Sequence, residues 1–227
     1  MYHKVDDNSA PDYLTLSTKK LEQQFKYLNK KGYTSILLSD LINYVTHKKP
    51  LPQKSVLITF DDGFKNNFTH LYPLLLQYNF KANIFLVADF IGTPNYLSVE
   101  EIKNMNLQTV EFGLHTKDHK NYNDHSLTEI DSDIKNCKEK LNLLSIPFQP
   151  CFAYTFGAYP KKDQQKREAI FKILEKNKID LAFRIGNRFN HLPLKNKYLI
   201  QRIDIRGDES FLKFKIGLHF GKKILLK

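Results

Sequence analysis

Short apolar runs alternate along this chain with stretches of helical periodicity, and no other feature of the sequence constrains the fold as much. The runs lie at residues 34–38, 55–60, 82–87, 110–114, 150–154, 181–183 and 200–205. Several are apolar on both faces, as strands covered on both sides must be. Between them, residues 18–31, 39–47, 66–78, 98–106, 126–144 and 161–176 repeat apolar positions at helical spacing. Two of these segments open with capping boxes, Ser98-Val99-Glu100-Glu101 and Ser126-Leu127-Thr128-Glu129. Repeated β-α-β-α units predict an α/β fold with a parallel sheet and helices outside, either closed into a barrel or left open. No repeat, low-complexity tract or linker divides the chain, so one domain is expected over residues 1–227.

In a barrel, chemistry sits at the C-terminal ends of the strands, so reactive residues should directly follow apolar runs. Two groups do. The run Ser55-Val56-Leu57-Ile58-Thr59-Phe60 leads into Asp61-Asp62-Gly63. Adjacent carboxylates there need a cation or a hydrogen-bond network to hold them. On an extended chain their side chains diverge, so one can bind a metal while the other faces a reacting water. The structural alternative is an Asp-Asp-Gly turn. The run Val110 to Leu114 leads into His115-Thr116-Lys117-Asp118-His119. Histidines at i and i+4 share one face of a helical turn and suit chelation of one metal. Two His and one Asp with positions left for water describe a catalytic site, and the donor set favours zinc. A third segment, Pro150-Cys151-Phe152-Ala153-Tyr154-Thr155-Phe156-Gly157, is another strand ending in aromatics and a glycine, where a backbone N–H can face an oxyanion.

Composition narrows the classes. Hydrophobic residues make up 41% and charged residues 26% of 227, which argues for an ordinary core and against disorder. No apolar run approaches the ~18 residues of a membrane span. The opening Met1-Tyr2-His3-Lys4-Val5-Asp6-Asp7-Asn8 lacks a signal-peptide core, so the expected location is cytoplasmic. Cys137 and Cys151 are expected as buried, reduced thiols. A net charge of +11 favours anionic partners, but the lysines are spread along the chain and no nucleic-acid-binding motif accompanies them, so no nucleic-acid partner is expected. Residues 211–227 interleave lysines with large apolar groups; they read as a last strand with a basic tail, or as a segment resting on the inner membrane face.

The ordered blocks Met1-Tyr2-His3-Lys4-Val5, Thr59-Phe60-Asp61-Asp62-Gly63, His115-Thr116-x-x-His119, Phe152-Ala153-Tyr154-x-x-Gly157 and Ile200-Gln201-Arg202-Ile203 resemble the polysaccharide deacetylase family. This is the NodB-like domain of carbohydrate esterase family 4, and the opening block resembles its poly-N-acetylglucosamine deacetylase branch. The resemblance implies a distorted (β/α) barrel of about seven parallel strands. It also implies a metal-dependent hydrolase removing N-acetyl groups from an amino sugar, in a polysaccharide or a lipid-linked precursor. Asp61 would be the general base; Asp62, His115 and His119 would bind zinc; the Phe156 N–H would stabilise the oxyanion. The usual late Leu-x-His block is missing, Leu218-His219 having the wrong surroundings, and His3 is taken as the catalytic acid. Ala153 stands where an Arg usually orients the base, and Arg202 is the proposed replacement. Thr155 stands where proline is usual, which predicts a less rigid oxyanion loop. Two other readings are a degenerate sugar-binding protein of the same fold and a metal amidase acting on a non-sugar amide.

Overall fold

The computed structural model describes residues 1–8 and 10–222. Its centre is a six-stranded parallel sheet whose spatial order follows the sequence. Two short parallel pairs stand outside that sheet: β1 (Lys4–Val5) with β2 (Thr15–Leu16), and β3 (Thr34–Ser35) with β4 (Ser55–Val56). The sheet itself runs through β5 (Thr59–Asp62), β6 (Ala82–Leu86), β7 (Val110–Leu114), β8 (Cys151–Ala153), β9 (Leu181–Ile185) and β10 (Ile200–Arg202). Burial follows the expected pattern, with β5, β6, β7 and β8 buried at every position. The architecture is therefore a six-stranded parallel half-barrel in a single α/β domain.

The expectation of about seven strands needs correction. The run at 34–38 yields only the two-residue β3, because Leu37 already begins a helix: its N–H donates to the Asp40 carboxylate (2.9 Å). The run at 55–60 splits into β4 and β5. Asn83 of β6 occupies the interior there, its side-chain amide donating to Ile36 O (3.3 Å) and Ile58 O (3.1 Å) while its Oδ1 accepts from Leu38 N (2.8 Å). One buried amide thus ties β6 to the segments that would otherwise have supplied the missing strand.

The N-terminal residues reach both edges of the half-barrel. Tyr2 N donates to Thr59 O and Asp61 N donates to Tyr2 O (both 2.9 Å), while Met1 N donates to Ile203 O (2.8 Å) and Ile205 N to Met1 O (2.9 Å). Residues distant in sequence thereby meet at the C-terminal ends of β5 and β10.

The helices are α1 (Thr18–Lys30), α2 (Leu38–His47), α3 (Tyr72–Tyr78), α4 (Val99–Asn104), α5 (Leu127–Leu143), α6 (Gln164–Lys176) and α7 (Phe211–Phe220). Ser17, Ser98, Ser126, Asp163 and Ser210 cap the starts of α1, α4, α5, α6 and α7 with their side chains. Both capping boxes anticipated at α4 and α5 are present. The segment read as a last strand is instead α7. Phe211 and Phe214 meet Tyr27 of α1 edge-on (5.7 and 6.3 Å), so this element packs outside the sheet rather than joining it. The rest of the basic tail, residues 223–227, lies outside the described residues. Among the described residues no helix is long and apolar enough to cross a membrane. Cys137 and Cys151 are buried and free, as expected.

Candidate metal and catalytic centre

Strand β5 ends in the two carboxylates, and the backbone separates them. Asp62 (φ 73°) and Gly63 (φ 75°) both adopt left-handed conformations, so the chain turns sharply after Asp61. The side chains do diverge, through this turn rather than through the alternation of an extended strand. Asp61 is gripped by Arg202 in a two-pronged contact, Nη1 to Oδ1 at 2.6 Å and Nη2 to Oδ2 at 2.7 Å. Both residues are buried. Burial opposes ionisation of Asp61, yet the charge and hydrogen bonds of Arg202, together with the nearby His115 and His3, outweigh it and hold the carboxyl below its ordinary range.

Asp62 faces the histidines. Its Oδ1 lies 3.3 Å from His115 Nε2 and 3.2 Å from His119 Nε2. Ligand atoms of the three residues all fall within 4.8 Å of one another. His115 Nδ1 sits 2.8 Å from Ala153 O, a contact that makes Nδ1 the donor and leaves Nε2 for a ligand. Asp62 Oδ1 is buried and makes no aligned hydrogen bond. A buried oxygen left without a donor, facing two ring nitrogens, fits a divalent cation held by Asp62, His115 and His119. Burial opposes the charge on Asp62, but the two imidazoles bring its carboxyl well below the usual carboxylate range. Burial lowers His115, and the neighbouring Asp61 and Asp62 charges more than reverse this, leaving it raised.

His115 and His119 were expected on one face of a helical turn. They are not helical. Thr116 (φ 66°) and His119 (φ 64°) are both left-handed, and the fully buried Thr116 accepts the His119 N–H at its hydroxyl (2.9 Å). A hydroxyl-anchored loop, not a helix period, brings the two rings to a centroid distance of 5.2 Å.

The remaining expected residues fall around this cluster. The His3 carbonyl accepts from the buried Asn67 amide (2.9 Å), next to the Tyr2 bridge to β5. Its imidazole is half-buried and lies within electrostatic reach of Asp61 and Asp62; burial lowers its pKa while those two carboxylates act against the shift. Phe156 (φ 57°) turns its exposed ring edge-on to His119 at 4.7 Å. The following Gly157 (φ 62°) has no room for a side chain: a Cβ there would stand 2.5 Å from Ile185 Cβ. Thr155 answers the missing proline by donating its hydroxyl to Lys120 O (2.5 Å), which ties this loop to the one carrying His119. His219 stays on the outer layer, its Nε2 2.9 Å from the Tyr27 hydroxyl.

Sequence reasoning missed an aromatic wall beside the histidines. Tyr96 stacks on Phe64 (4.9 Å) and meets Phe90 (4.6 Å), and Phe90 lies 6.1 Å from His119. Burial and then the Asp62 charge raise the Tyr96 hydroxyl. Phe64 directly follows Asp61-Asp62-Gly63 and Phe90 follows the apolar run at 82–87, so the strand-end rule applied to aromatics would have found both.

The family model for polysaccharide deacetylase matches residues 48–170, just over half of the chain. A Bacillus subtilis (strain 168) relative, provisionally named a polysaccharide deacetylase, is 28% identical over 168 residues, covering 74% of this chain and 59% of its own. The Staphylococcus aureus (strain MRSA252) poly-beta-1,6-N-acetyl-D-glucosamine N-deacetylase is 24% identical over 221 residues, covering 90% and 73%. The chain thus spans less than two thirds of the Bacillus subtilis relative. Among solved structures, the Streptococcus pyogenes deacetylase PplD in complex with acetate superposes with a TM-score of 0.81 at 19% identity, covering 96% of each chain. IcaB from Ammonifex degensii gives 0.79 at 22% identity, covering 96% of this chain and 93% of its own. At these identities the structural likeness establishes the fold alone. The matched stretch includes Asp61, Asp62, His115 and His119, and the chain belongs to the polysaccharide deacetylase family.

Proposed function

We propose that this chain is a metal-dependent hydrolase that removes N-acetyl groups from an amino sugar, in a polymer of the poly-N-acetylglucosamine kind or a lipid-linked glycan precursor. The reading rests on one observation: the Asp62, His115 and His119 donor cluster stands beside a carboxylate, Asp61, whose two oxygens are fixed by Arg202. Family membership supports a hydrolase acting on amide bonds of N-acetyl sugars. The curated Staphylococcus aureus relative is named for the polymeric substrate.

Asp62, His115 and His119 would hold the cation, with zinc favoured by the mixed nitrogen and oxygen donors. When bound, zinc supplies Lewis-acid polarisation of the acetyl carbonyl and lowers the pKa of a coordinated water. Asp61 takes the proton of the attacking water. Arg202 keeps Asp61 ionised and aimed, since its two-pronged contact fixes the carboxylate plane. The Phe156 N–H, in a left-handed turn whose ring meets His119, donates to the oxyanion that forms on the acetyl oxygen. His3 donates a proton to the departing amine, so the products are acetate and a free amino sugar. Phe90 and Tyr96, both partly exposed, offer apolar ring surface to a sugar, with the buried Phe64 stacked behind Tyr96.

The test is acetate release from N-acetylglucosamine oligomers by zinc-loaded protein. Release that disappears in Asp61→Asn supports the reading. Tight oligomer binding with no acetate, under the same zinc loading, would replace it with a degenerate sugar-binding protein. Release only from non-sugar amides would replace the substrate class.

Membrane-surface contact is a second reading at α7, which exposes Leu212 (60%) and Phe220 (63%) beside Lys213. Sedimentation with anionic vesicles, lost in Lys213→Glu/Leu212→Ser, would support it; equal distribution would end it.

A further inference from the structure

Below the bridge made by Met1 and Tyr2, the edges of the half-barrel do not meet. Residues 55–59 line one side of a cavity of about 480 Å³ and residues 200–203 line the other. Its walls are mainly apolar, with Val56, Leu57, Ile203, Phe183 and Phe214 among them. Arg188, Phe189 and Leu192 line it while remaining exposed, which places its mouth at that loop. At the inner end stands Arg202, whose Nη atoms hold Asp61 and whose Nε is buried with no hydrogen-bond partner.

These features describe a built pocket. A space this size within a close-packed core leaves its lining atoms without partners on one side. A few polar groups interrupt the apolar lining, among them the Gln201 side-chain oxygen and Arg202 Nε, both buried without a hydrogen-bond partner. Volume and lining match sites for small apolar ligands with a few orienting polar groups. The polar group at the mouth is a cation: among the described residues, Arg188 makes no ion pair or side-chain hydrogen bond. An apolar slot with a guanidinium at its opening selects an alkyl chain with an anionic head.

We propose that this seam binds a single long-chain fatty acid, with its alkyl chain between residues 55–59 and 200–203 and its carboxylate on Arg188. The site is separate from the deacetylase centre and does not depend on the reaction proposed above. Arg202 is the wall between the two.

Titration of the zinc-loaded full chain with palmitate tests this. One saturable site per chain is expected. Leu57→Trp, which fills the slot, should weaken palmitate by at least about tenfold, and Val56→Phe should act in the same direction should the first variant fold poorly. Arg188→Glu should weaken palmitate by about tenfold while leaving hexadecanol, the same chain without the charge, unchanged. Zinc stoichiometry should be the same in all three variants, which separates loss of the pocket from loss of the fold. Absence of saturable palmitate binding overturns the proposal, as does equal binding in wild type and both filled variants. Binding by a chain ending at Lys222 but not by the full chain would assign the slot to the protein's own C-terminus, and also overturns it.

Discussion

Asp61 and Arg202 are 141 residues apart, buried, and joined at both carboxylate oxygens. Removing one member of a buried pair leaves an uncompensated charge, so Arg202→Met should destabilise the fold by about 3–5 kcal/mol, read from urea unfolding. The pH dependence carries a sign. Asp61 is depressed below its unfolded value of 3.8, so its contribution is full above that value and is lost as pH falls through the depressed folded pKa. In Arg202→Met the Asp61 carboxyl loses the guanidinium and burial raises its folded-state pKa, so the loss of stability on acidification seen in wild type should shrink or reverse, protonation relieving the unpaired charge. A urea midpoint that tracks wild type across this range would mean the pair contributes nothing. Asp61→Asn separates chemistry from binding: it should lower acetate release by about 10²–10⁴ and keep about one zinc per chain. Asp62→Ala and His115→Ala should lose that zinc, as measured by metal analysis after gel filtration; full occupancy in either would remove that residue from the ligand set.

Loops, more than strands, set the geometry of this centre. Thr116 fixes His119 by accepting its backbone N–H, so Thr116→Val should weaken zinc by about tenfold without removing a ligand. Competition with a zinc-binding dye reads this directly, and an unchanged affinity would show that His119 is placed by other contacts. On the neighbouring loop, Gly157 combines a positive φ with contact against Ile185. Gly157→Ala should cost about 1–3 kcal/mol in thermal or urea unfolding and should disturb Phe156, whose ring meets His119. Wild-type stability in that variant would mean that the loop relaxes freely.

For the molecule as a whole, metal binding and folding are linked. Zinc should raise the unfolding temperature, EDTA should reverse the rise, and Asp62→Ala should abolish the response. His115 is raised above 6.5 in the metal-free protein, so protons compete with zinc in the neutral range. Affinity should therefore fall as pH falls through the raised His115 value, and calorimetry in buffers of different ionisation enthalpy should detect proton release on zinc uptake. Zinc binding that is independent of pH from 6 to 8, a window of about one unit either side of neutrality, would contradict the assignment of His115.

Sequence alone determined the layered α/β class and the strand-end placement of the reactive groups, because both rest on local patterns: apolar runs, capping boxes and polar residues directly after strands. Asp61, Asp62 and His115 were legible for the same reason, directly following their runs; His119 was legible from its spacing to His115, and Arg202 from the family resemblance. Tertiary structure decided the rest. Six strands form in place of seven because a buried amide, Asn83, and the Asp40 carboxylate take over the backbone groups of the first run. His115 and His119 converge through two left-handed residues that no periodicity encodes. Residues 211–220 become a helix because Tyr27 of α1 offers their aromatics a partner outside the sheet. The seam between β5 and β10 appears only when both edges are placed in space, since its walls come from opposite ends of the chain and share no local signal.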